Sequence, residues 1–266
     1  MKFNIGKAID VGIQRKGKAN QDSLEVILPG IFNHNPPLLV VADGMGGYTG
    51  GALASKIVTK TLTDYYRRVK VGVDYCEVLK EGIKAAHQEV MVQAQKDSEL
   101  VKMGSTVVAA ILEDDMMHLA NVGDSRAYVV NEHEIRHVSW DHSFVGELVR
   151  QNLITPTESL SHPKRNVLTM SISGQRSDLD IFTAHVELEE NDIVVLCSDG
   201  LWGPVAESQI QVVVWELAPQ QAANKLIEMA NRNQGPDNIS VIIARQKTNR
   251  PPVQSNYKKE DEDTKP

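Results

Sequence analysis

Aromatic residues, cysteines and long apolar runs are all scarce in this sequence of 266 residues. Aromatic residues make up 5% of it, which argues against a surface that stacks nucleic-acid bases. Its two cysteines, Cys76 and Cys197, are far apart, so we expect free thiols in a reducing compartment rather than a disulfide framework. No apolar run approaches the ~20 residues that a membrane-spanning helix needs.

An excess of positive charge is also absent, since the formal net charge is −7 and the pI is near 5.6. Nucleic acids and anionic membranes attract basic surfaces, so neither is expected as the main partner. The N-terminal stretch MKFNIGKAIDVG lacks the apolar core of a signal peptide. We therefore expect a cytoplasmic protein without a membrane span, and we expect it to be a monomer.

Composition divides the chain into a long body and a short tail. Residues 1–247 show no composition break and no repeat with a period of about 20–50 residues, which predicts a single domain. Residues 248–266 are first Pro-rich and then charged, with almost nothing apolar to bury. This composition predicts a disordered tail.

Strands and helices are predicted in blocks. Apolar and β-branched runs predict strands at Leu38–Ala42, Thr106–Leu112, Met117–Val122, Arg126–Val130, Ile135–Val138, Ile193–Leu196 and Ile239–Ala244. Helical spacing of apolar residues predicts helices around 53–65, 79–94, 207–217 and 220–232, and a capping box predicts a short helix after Thr155. Because strands and helices do not alternate strictly, the pattern favours an α+β fold with antiparallel sheets over a doubly wound fold.

The glycine-rich stretch VVADGMGGYTGG, residues 40–51, could belong to a loop that binds nucleotide phosphates. The P-loop pattern fails, because Ala52 and Leu53 stand where lysine and serine or threonine are required. The dinucleotide pattern fails as well, because Thr49 stands where its third glycine belongs. Nucleotide binding is therefore disfavoured, and attention moves to the acid in this stretch.

Five aspartates lie at the ends of predicted strands, if the run Leu24–Leu28 after Asp22 is counted as one: Asp22, Asp43, Asp124, Asp199 and Asp237. Each one alone is well explained as a turn residue. Together they suggest convergence on one site, where their mutual repulsion is offset only if a cation lies among them. Oxygen ligands without a supporting histidine or cysteine pattern select Mg²⁺ or Mn²⁺ over zinc. The glycine that follows Asp43, Gly44, would let a backbone carbonyl approach the ion.

Two such ions would activate a shared water for in-line attack on a phosphoryl group. A thiol-based phosphatase is excluded, because glycines 82 and 203 stand six residues after the two cysteines where an arginine is required. A phosphate site also favours an arginine fork, for which Arg15 is the candidate, with Lys18 close by. The alternative for Arg15 and Lys18 is a solvated basic loop.

Together these motifs carry a family resemblance. The ordered series is Arg15, NQD (20–22), VADGMGG (41–47), GST (104–106), NVGDSRAY (121–128), DHS (141–143), HPKRNVLT (162–169), CSDGLWG (197–203) and PDNIS (236–240). It resembles the metal-dependent protein phosphatase family, also called protein phosphatase 2C, and its bacterial branch is the closer match. The resemblance covers roughly residues 5–245.

The resemblance implies a four-layer αββα sandwich, in which two central antiparallel β-sheets are flanked by helix pairs. It implies hydrolysis of phosphoserine and phosphothreonine in proteins with Mn²⁺ or Mg²⁺. Phosphorylated proteins would be the substrates, and a serine/threonine kinase would be the functional counterpart.

The resemblance also implies roles for individual residues. Asp43 would bridge two ions, with Asp199 and Asp237 completing the first and Asp22 and the Gly44 carbonyl serving the second. A third ion would be held by Asp124 and Asp199. Arg15, or less effectively Lys18, would grip the phosphate. The segment from Asp141 to about Gly174 would form a flap beside the site.

The sequence departs from the family pattern in two places. The interval between Arg15 and the NQD motif is two residues longer than in many family members. Met45 and Tyr48 stand where relatives often have a histidine. This loop therefore supplies no histidine as a general acid. His142 or His162 in the flap could compensate, although a structural role is favoured for each.

Two alternatives remain open at this point. A pseudophosphatase would bind phosphoproteins on the same fold without turnover, but such proteins usually lack metal-ligand acids. A metal-dependent hydrolase of small phosphoesters would share the site and differ in substrate.

Overall fold

The structure is a computed structural model that describes residues 3–30, 35–46 and 49–247. The predicted tail, 248–266, and the position of Tyr48 lie outside the described residues. None of the helices in the described ranges combines the length and the apolar character required to cross a bilayer.

The strands, in chain order, are β1 (Phe3–Asp10), β2 (Asp22–Ile27), β3 (Leu38–Met45), β4 (Gly104–Ser105), β5 (Val107–Glu113), β6 (Met116–Val122), β7 (Arg126–Val130), β8 (Ile135–His137), β9 (Ile172–Ser173), β10 (Phe182–Glu187), β11 (Ile193–Cys197) and β12 (Ile239–Gln246). The α-helices are α1 (Gly50–Tyr66), α2 (Tyr75–Ala94), α3 (Phe144–Arg150), α4 (Pro156–Ser161), α5 (Asp199–Trp202), α6 (Glu207–Glu216) and α7 (Pro219–Arg232). Short 3-10 turns occur at Ile13–Arg15 and Ser98–Leu100.

These strands form two antiparallel sheets. The first has the order β1-β12-β11-β7-β8. The second has the order β10-β6-β5-β3-β4-β9, and β2 pairs with β3 beside this path. Because β6 belongs to the second sheet and β7 to the first, the short turn between them passes from one sheet to the other.

The period-two alternation of the strands divides their side chains between different layers. In β3, Val40 and Ala42 pack with α1 and α2, whereas Leu39 and Val41 pack between the two sheets. Residues of β11 divide in the same way between the sandwich and a third cluster that includes α6 and α7. Fully apolar strands thus result from burial on both faces. The α+β fold with antiparallel sheets predicted from the sequence pattern is confirmed, as is the four-layer sandwich that the family resemblance implies.

Most predicted elements are present, with shifted ends. β3 continues past Ala42 to Met45 and so includes Asp43 and Gly44, and β8 ends at His137. The capping box at Thr155 is formed, and α4 begins at Pro156. Strands β1, β4, β9 and β10 were not predicted. Two of them are only two residues long, and the other two consist mostly of exposed and half-buried residues without a strong apolar run.

Candidate metal centre

The five aspartates meet at one end of the sandwich because of strand pairing and turn position. Asp22 and Asp43 are directly opposite each other across β2 and β3. Asp199 follows β11 and Asp237 precedes β12, and these two strands are antiparallel neighbours. Asp124 lies in the turn that passes from β6 to β7. The predicted acids are therefore brought together by both sheets, with the sheet-to-sheet turn contributing one of them.

Asp43 lies at the electrostatic centre of this group. Burial raises the pKa of Asp43 well above its usual value, and the negative charges of Asp22, Asp199, Asp124 and Asp237 raise it further. A carboxylate that is surrounded in this way is expensive to ionise unless positive charge is supplied. The backbone of Asp43 is held by Thr106, whose hydroxyl accepts from its N–H at 3.1 Å.

Asp22 is fixed by two hydroxyl groups. Its Oδ2 accepts hydrogen bonds from Ser198 Oγ at 2.8 Å and from Ser240 Oγ at 2.7 Å. Burial raises the pKa of Asp22 to about 7, although these two hydrogen bonds oppose the shift. Its other oxygen, Oδ1, is buried and has no hydrogen-bond partner among the described residues.

Asp199 has the same kind of unpartnered oxygen. Its Oδ1 is buried and likewise accepts no hydrogen bond within the described part of the chain. Burial raises the pKa of Asp199, as does the charge of Asp237, while a hydrogen bond with Asp43 and the charge of Arg15 lower it. Native proteins rarely leave buried polar atoms unsatisfied, and an ion is one ordinary explanation.

The donor set fits a hard cation. Carboxylate oxygens predominate, and Mn²⁺ or Mg²⁺ would satisfy Asp22 Oδ1 and Asp199 Oδ1 while neutralising the repulsion around Asp43. Gly44, the proposed carbonyl ligand, must be glycine here. A Cβ at this position would lie 2.0 Å from the Gly51 carbonyl oxygen in the first turn of α1.

Asp124 is buried at the edge of the group. Burial raises the pKa of Asp124, and the charges of Asp199 and Asp141 add to the effect. Its backbone carbonyl accepts a hydrogen bond from Trp202 Nε1 at 3.0 Å. Trp202 also stacks under the Arg126 guanidinium, whose carbon lies 3.6 Å from the ring centroid.

Arg15 lies at the rim of the acid group. It ends the 3-10 turn Ile13–Arg15, and its Nη2 contacts Asp237 Oδ2 at 2.7 Å. Its side chain keeps 32% of its surface exposed, so a phosphate could reach it. Lys18 lies exposed in the same loop, and its backbone N–H donates to the Arg15 carbonyl at 3.0 Å.

The flap residues have contacts of another kind. Asp141 is buried against Arg126, with 2.7 Å between Arg126 Nη2 and Asp141 Oδ2. The ring Nδ1 of His142 accepts from the Gly123 N–H at 3.3 Å, and the backbone N–H of His142 donates to the Gly123 carbonyl at 2.9 Å. Burial lowers the pKa of His142 and favours a neutral ring. These contacts join the base of the flap to the turn that carries Asp124.

His162 lies against Phe144, with ring centroids 5.7 Å apart, and its Nδ1 accepts from the Lys164 N–H at 3.1 Å. Among the contacts described for His142 and His162, none reaches an acid of the metal group. The His142 ring therefore contacts the turn that carries Asp124, and the His162 ring packs on Phe144 within the flap segment.

Sequence reasoning did not single out Ser198, Ser240, Arg126 or Trp202. The two serines adjoin or closely follow motif acids, in CSDG and in DNIS, which was the available signal. Their role depends on contacts with Asp22 across separations of 176 and 218 residues, so it could not be read from either motif alone.

Comparisons with known proteins agree with this geometry. A model of the Protein phosphatase 2C family matches residues 12–236. The serine/threonine phosphatase stp of Listeria monocytogenes is 33% identical over 80% of this chain and 87% of its own length.

Solved structures are similar as well. The serine/threonine phosphatase Stp1 from Staphylococcus aureus superposes with a TM-score of 0.82 at 31% identity, covering 93% of this chain and 96% of that one. The catalytic domain of the phosphatase PstP in complex with two manganese ions superposes with a TM-score of 0.79 at 29% identity, covering 92% and 98% of the respective chains. On the family match, the shared fold and the position of its acids, this chain belongs to the protein phosphatase 2C family.

Proposed function

We propose that the protein hydrolyses phosphoserine and phosphothreonine in other proteins with the help of Mn²⁺ or Mg²⁺. The observation that carries the proposal is the convergence of five buried or half-buried aspartates beside an accessible arginine, two of the acids each having an oxygen without a hydrogen-bond partner among the described residues. The names of the similar proteins, which are serine/threonine phosphatases, support the same reaction.

Asp43, Asp199 and Asp237 would hold one ion, and Asp43, Asp22 and the Gly44 carbonyl would hold the second. When bound, the ions supply a nucleophilic water at neutral pH and positive charge for the phosphoryl oxygens. The chain's own contribution is orientation. Ser198 and Ser240 hold one oxygen of Asp22, which would leave the other oxygen, buried and without a hydrogen-bond partner among the described residues, to ligate the ion.

Arg15 would bind the phosphoryl group of the substrate. A guanidinium offers several donors in a planar fork, so it can keep its contact with Asp237 and still donate to two phosphoryl oxygens. Asp237 would thereby orient the arginine as well as ligate an ion. Lys18, a single charged point on a flexible stem, would contribute less.

Finer features belong to the same proposal. A third ion would be held by Asp124 and Asp199, and the segment from Asp141 to about Gly174 would select substrates as a flap. Residues 1–247 would form one catalytic domain. A cognate serine/threonine kinase, a cytoplasmic location and a monomeric state complete the proposal.

A phosphothreonine peptide assay tests it. Excess EDTA should abolish phosphate release, and added Mn²⁺ should restore it. Asp43→Asn and Asp199→Asn should each lower the rate by several orders of magnitude while the fold is kept. Asp64→Asn is the matched control, since the ion pairs described for Asp64 are with Lys60 and Arg67 near the end of α1. Full activity in EDTA would refute the metal-dependent mechanism.

The same assay separates the alternatives. A pseudophosphatase would bind the phosphopeptide in Mn²⁺ without releasing phosphate, and the presence of all five acids does not favour it. A small-phosphoester hydrolase would turn over a small aryl phosphate far more efficiently than phosphoprotein.

A further inference from the structure

Cys76, His118 and His185 form a second cluster of metal-ligating side chains. Cys76 is in the first turn of α2, and His118 and His185 are directly opposite each other across β6 and β10. One potential ligand atom from each of the three residues lies within 4.8 Å of those of the other two. Cys76 and His118 are buried, whereas His185 is exposed.

The distances within this cluster resemble the edges of a tetrahedral zinc site. His118 Nδ1 and His185 Nδ1 are 3.1 Å apart, and Cys76 Sγ is 3.7 Å from His185 Nδ1. Zinc–nitrogen bonds of about 2.0–2.1 Å and zinc–sulfur bonds of about 2.3 Å give tetrahedral N···N edges of ~3.3 Å and S···N edges of ~3.6 Å. These two distances are within a few tenths of an ångström of these values, and the ligand atoms of the third pair, Cys76 and His118, lie within 4.8 Å of each other.

Glu113 orients His118 for ligation. Its Oε2 lies 3.1 Å from His118 Nε2. When Nε2–H donates a hydrogen bond to this carboxylate, Nδ1 of His118 carries a lone pair that faces His185. A carboxylate on the far nitrogen of a metal-ligating histidine is the usual supporting arrangement. Glu113 is on β5, next to β6, and its side chain is 42% exposed.

The cluster is chemically and spatially separate from the aspartates. Its ligands are nitrogen and sulfur, which suit zinc and other transition metals, whereas the aspartates offer oxygen alone. His118 lies four residues before Val122, the last residue of β6, which is about 13 Å along the strand. Asp124 lies beyond that end.

A hydrogen-bonded chain is the competing explanation. In it, His185 Nδ1–H donates to His118 Nδ1, His118 Nε2–H donates to Glu113, and the Cys76 thiol donates to the Ala184 carbonyl at 3.4 Å. Burial raises the pKa of Cys76 to about 11, so the thiol keeps its proton in that arrangement. The two explanations differ in the state of the sulfur, which is measurable.

We propose that Cys76, His118 and His185 bind one Zn²⁺ ion, with Glu113 supporting His118 and a fourth position open to solvent on the side of His185. On binding, the Cys76 thiol loses its proton to solvent, and the proton on His185 moves from Nδ1 to the exposed Nε2. The ion would join the first turn of α2 to the β6–β10 strand pair.

Cobalt substitution tests the proposal. The protein is first saturated with Mn²⁺ to fill the aspartate site and is then titrated with Co²⁺. We expect one equivalent to produce a thiolate-to-cobalt charge-transfer band together with the intense visible bands of tetrahedral cobalt, and added Zn²⁺ should remove both. A site made of oxygen ligands cannot give the charge-transfer band.

Variants assign the ligands. Cys76→Ser should abolish the band, whereas Cys197→Ala, which alters the other buried cysteine, should keep it. His185→Ala should reduce cobalt affinity by more than the ~10–100-fold expected for the supporting change Glu113→Gln. His133→Ala, which changes an exposed histidine in a turn, should leave the cobalt affinity unchanged.

Thiol labelling gives a second readout that does not depend on the folding of Cys76→Ser. Zn²⁺ should slow the reaction of Cys76 with a maleimide in the wild-type protein and should not do so in His185→Ala. Because His185 is exposed, this substitution should not disturb folding. Absence of the charge-transfer band at saturating Co²⁺, or its persistence in Cys76→Ser, would overturn the proposal. The hydrogen-bonded chain would then be the correct description of the cluster.

Discussion

Near Asp43, two serine hydroxyl groups hold the side chain of a neighbouring acid, Asp22. The carboxylate of Asp22 has one oxygen held by Ser198 and Ser240, and this tether limits rotation of the group. Because the two hydroxyls bind the charged form, they also oppose the rise in the pKa of Asp22 that burial causes. Their contribution is therefore both geometric and electrostatic.

Removing either hydroxyl should weaken metal binding. We expect Ser240→Ala and Ser198→Ala each to raise the Mn²⁺ concentration for half-maximal activity by about 10–100-fold, the usual effect of losing a group that supports a metal ligand. Titration calorimetry measures the Mn²⁺ affinity directly, without turnover. Ser161→Ala is the control, because Ser161 is exposed and its hydroxyl donates to the Glu158 carbonyl within α4. An unchanged Mn²⁺ requirement in both variants would show that the two serines do not support metal binding.

Arg15 should matter for substrate rather than for metal. Arg15→Lys keeps the charge but loses the planar fork, so we expect kcat/KM for a phosphopeptide to fall by about 10–100-fold, the equivalent of a charged hydrogen bond. Mn²⁺ affinity should change far less. Arg67→Lys, at an exposed arginine directly after α1, controls for surface effects. Equal losses in metal affinity and in kcat/KM would instead make Arg15 a support for Asp237.

At the scale of elements, close backbone contact positions the layers. β1 forms the edge of the first sheet, and α7 packs against it without space for a side chain at Gly6. A Cβ at this glycine would lie 2.2 Å from the backbone carbon of Pro219, at the start of α7. The contact explains why a strand can contain glycine without a turn or a bulge.

Gly6→Ala should therefore separate β1 from α7. We expect a loss of about 1–3 kcal/mol in the free energy of unfolding, the typical cost of an overpacked interface. Urea unfolding of the Mn²⁺-loaded protein measures it. Lys7→Ala, at the adjacent exposed position of the same strand, should cost little. If the two variants were equally stable, the layers would have to move apart more easily than the structure implies.

At the scale of the whole molecule, the cluster of acids makes the free energy of unfolding depend on pH. Without metal, the pKa of Asp22 is about 7 in the folded chain, against the ordinary 3.8. Between these values the folded chain holds a proton that the unfolded chain has lost, so unfolding releases it. The stabilisation is complete below about pH 4 and is lost as the pH rises through 7.

In EDTA, the free energy of unfolding should therefore fall between pH 4 and pH 7, by about 4 kcal/mol for the full shift of Asp22. Chemical unfolding at several pH values measures it, and the difference between wild type and Asp22→Asn isolates the contribution of this residue. Saturating Mn²⁺ should restore stability at high pH, because ions bind the charged acids. A difference curve that does not change with pH would contradict the raised pKa.

Several features of the fold could be predicted because they are local. Continuous apolar runs such as the one before Asp43 indicate strands buried on both faces, and helical spacing between 79 and 94 predicted α2. The short strands β4 and β9 could not be predicted, since two residues carry no period. Of the candidate site, the acids could be identified from their places at strand ends and from the order of the motifs.

The sequence by itself determined the fold class of this protein, antiparallel sheets with helix pairs, and the placement of aspartates at strand ends, whose oxygen donors suit a hard cation. Only the tertiary structure decided which groups support Asp22 and where His142 makes its contacts, because these contacts join distant segments. It also brought together Cys76, His118 and His185, where the sequence showed no histidine or cysteine pattern. Spacing along a chain reports neighbours within one element, whereas a site built from several elements depends on strand register and layer packing.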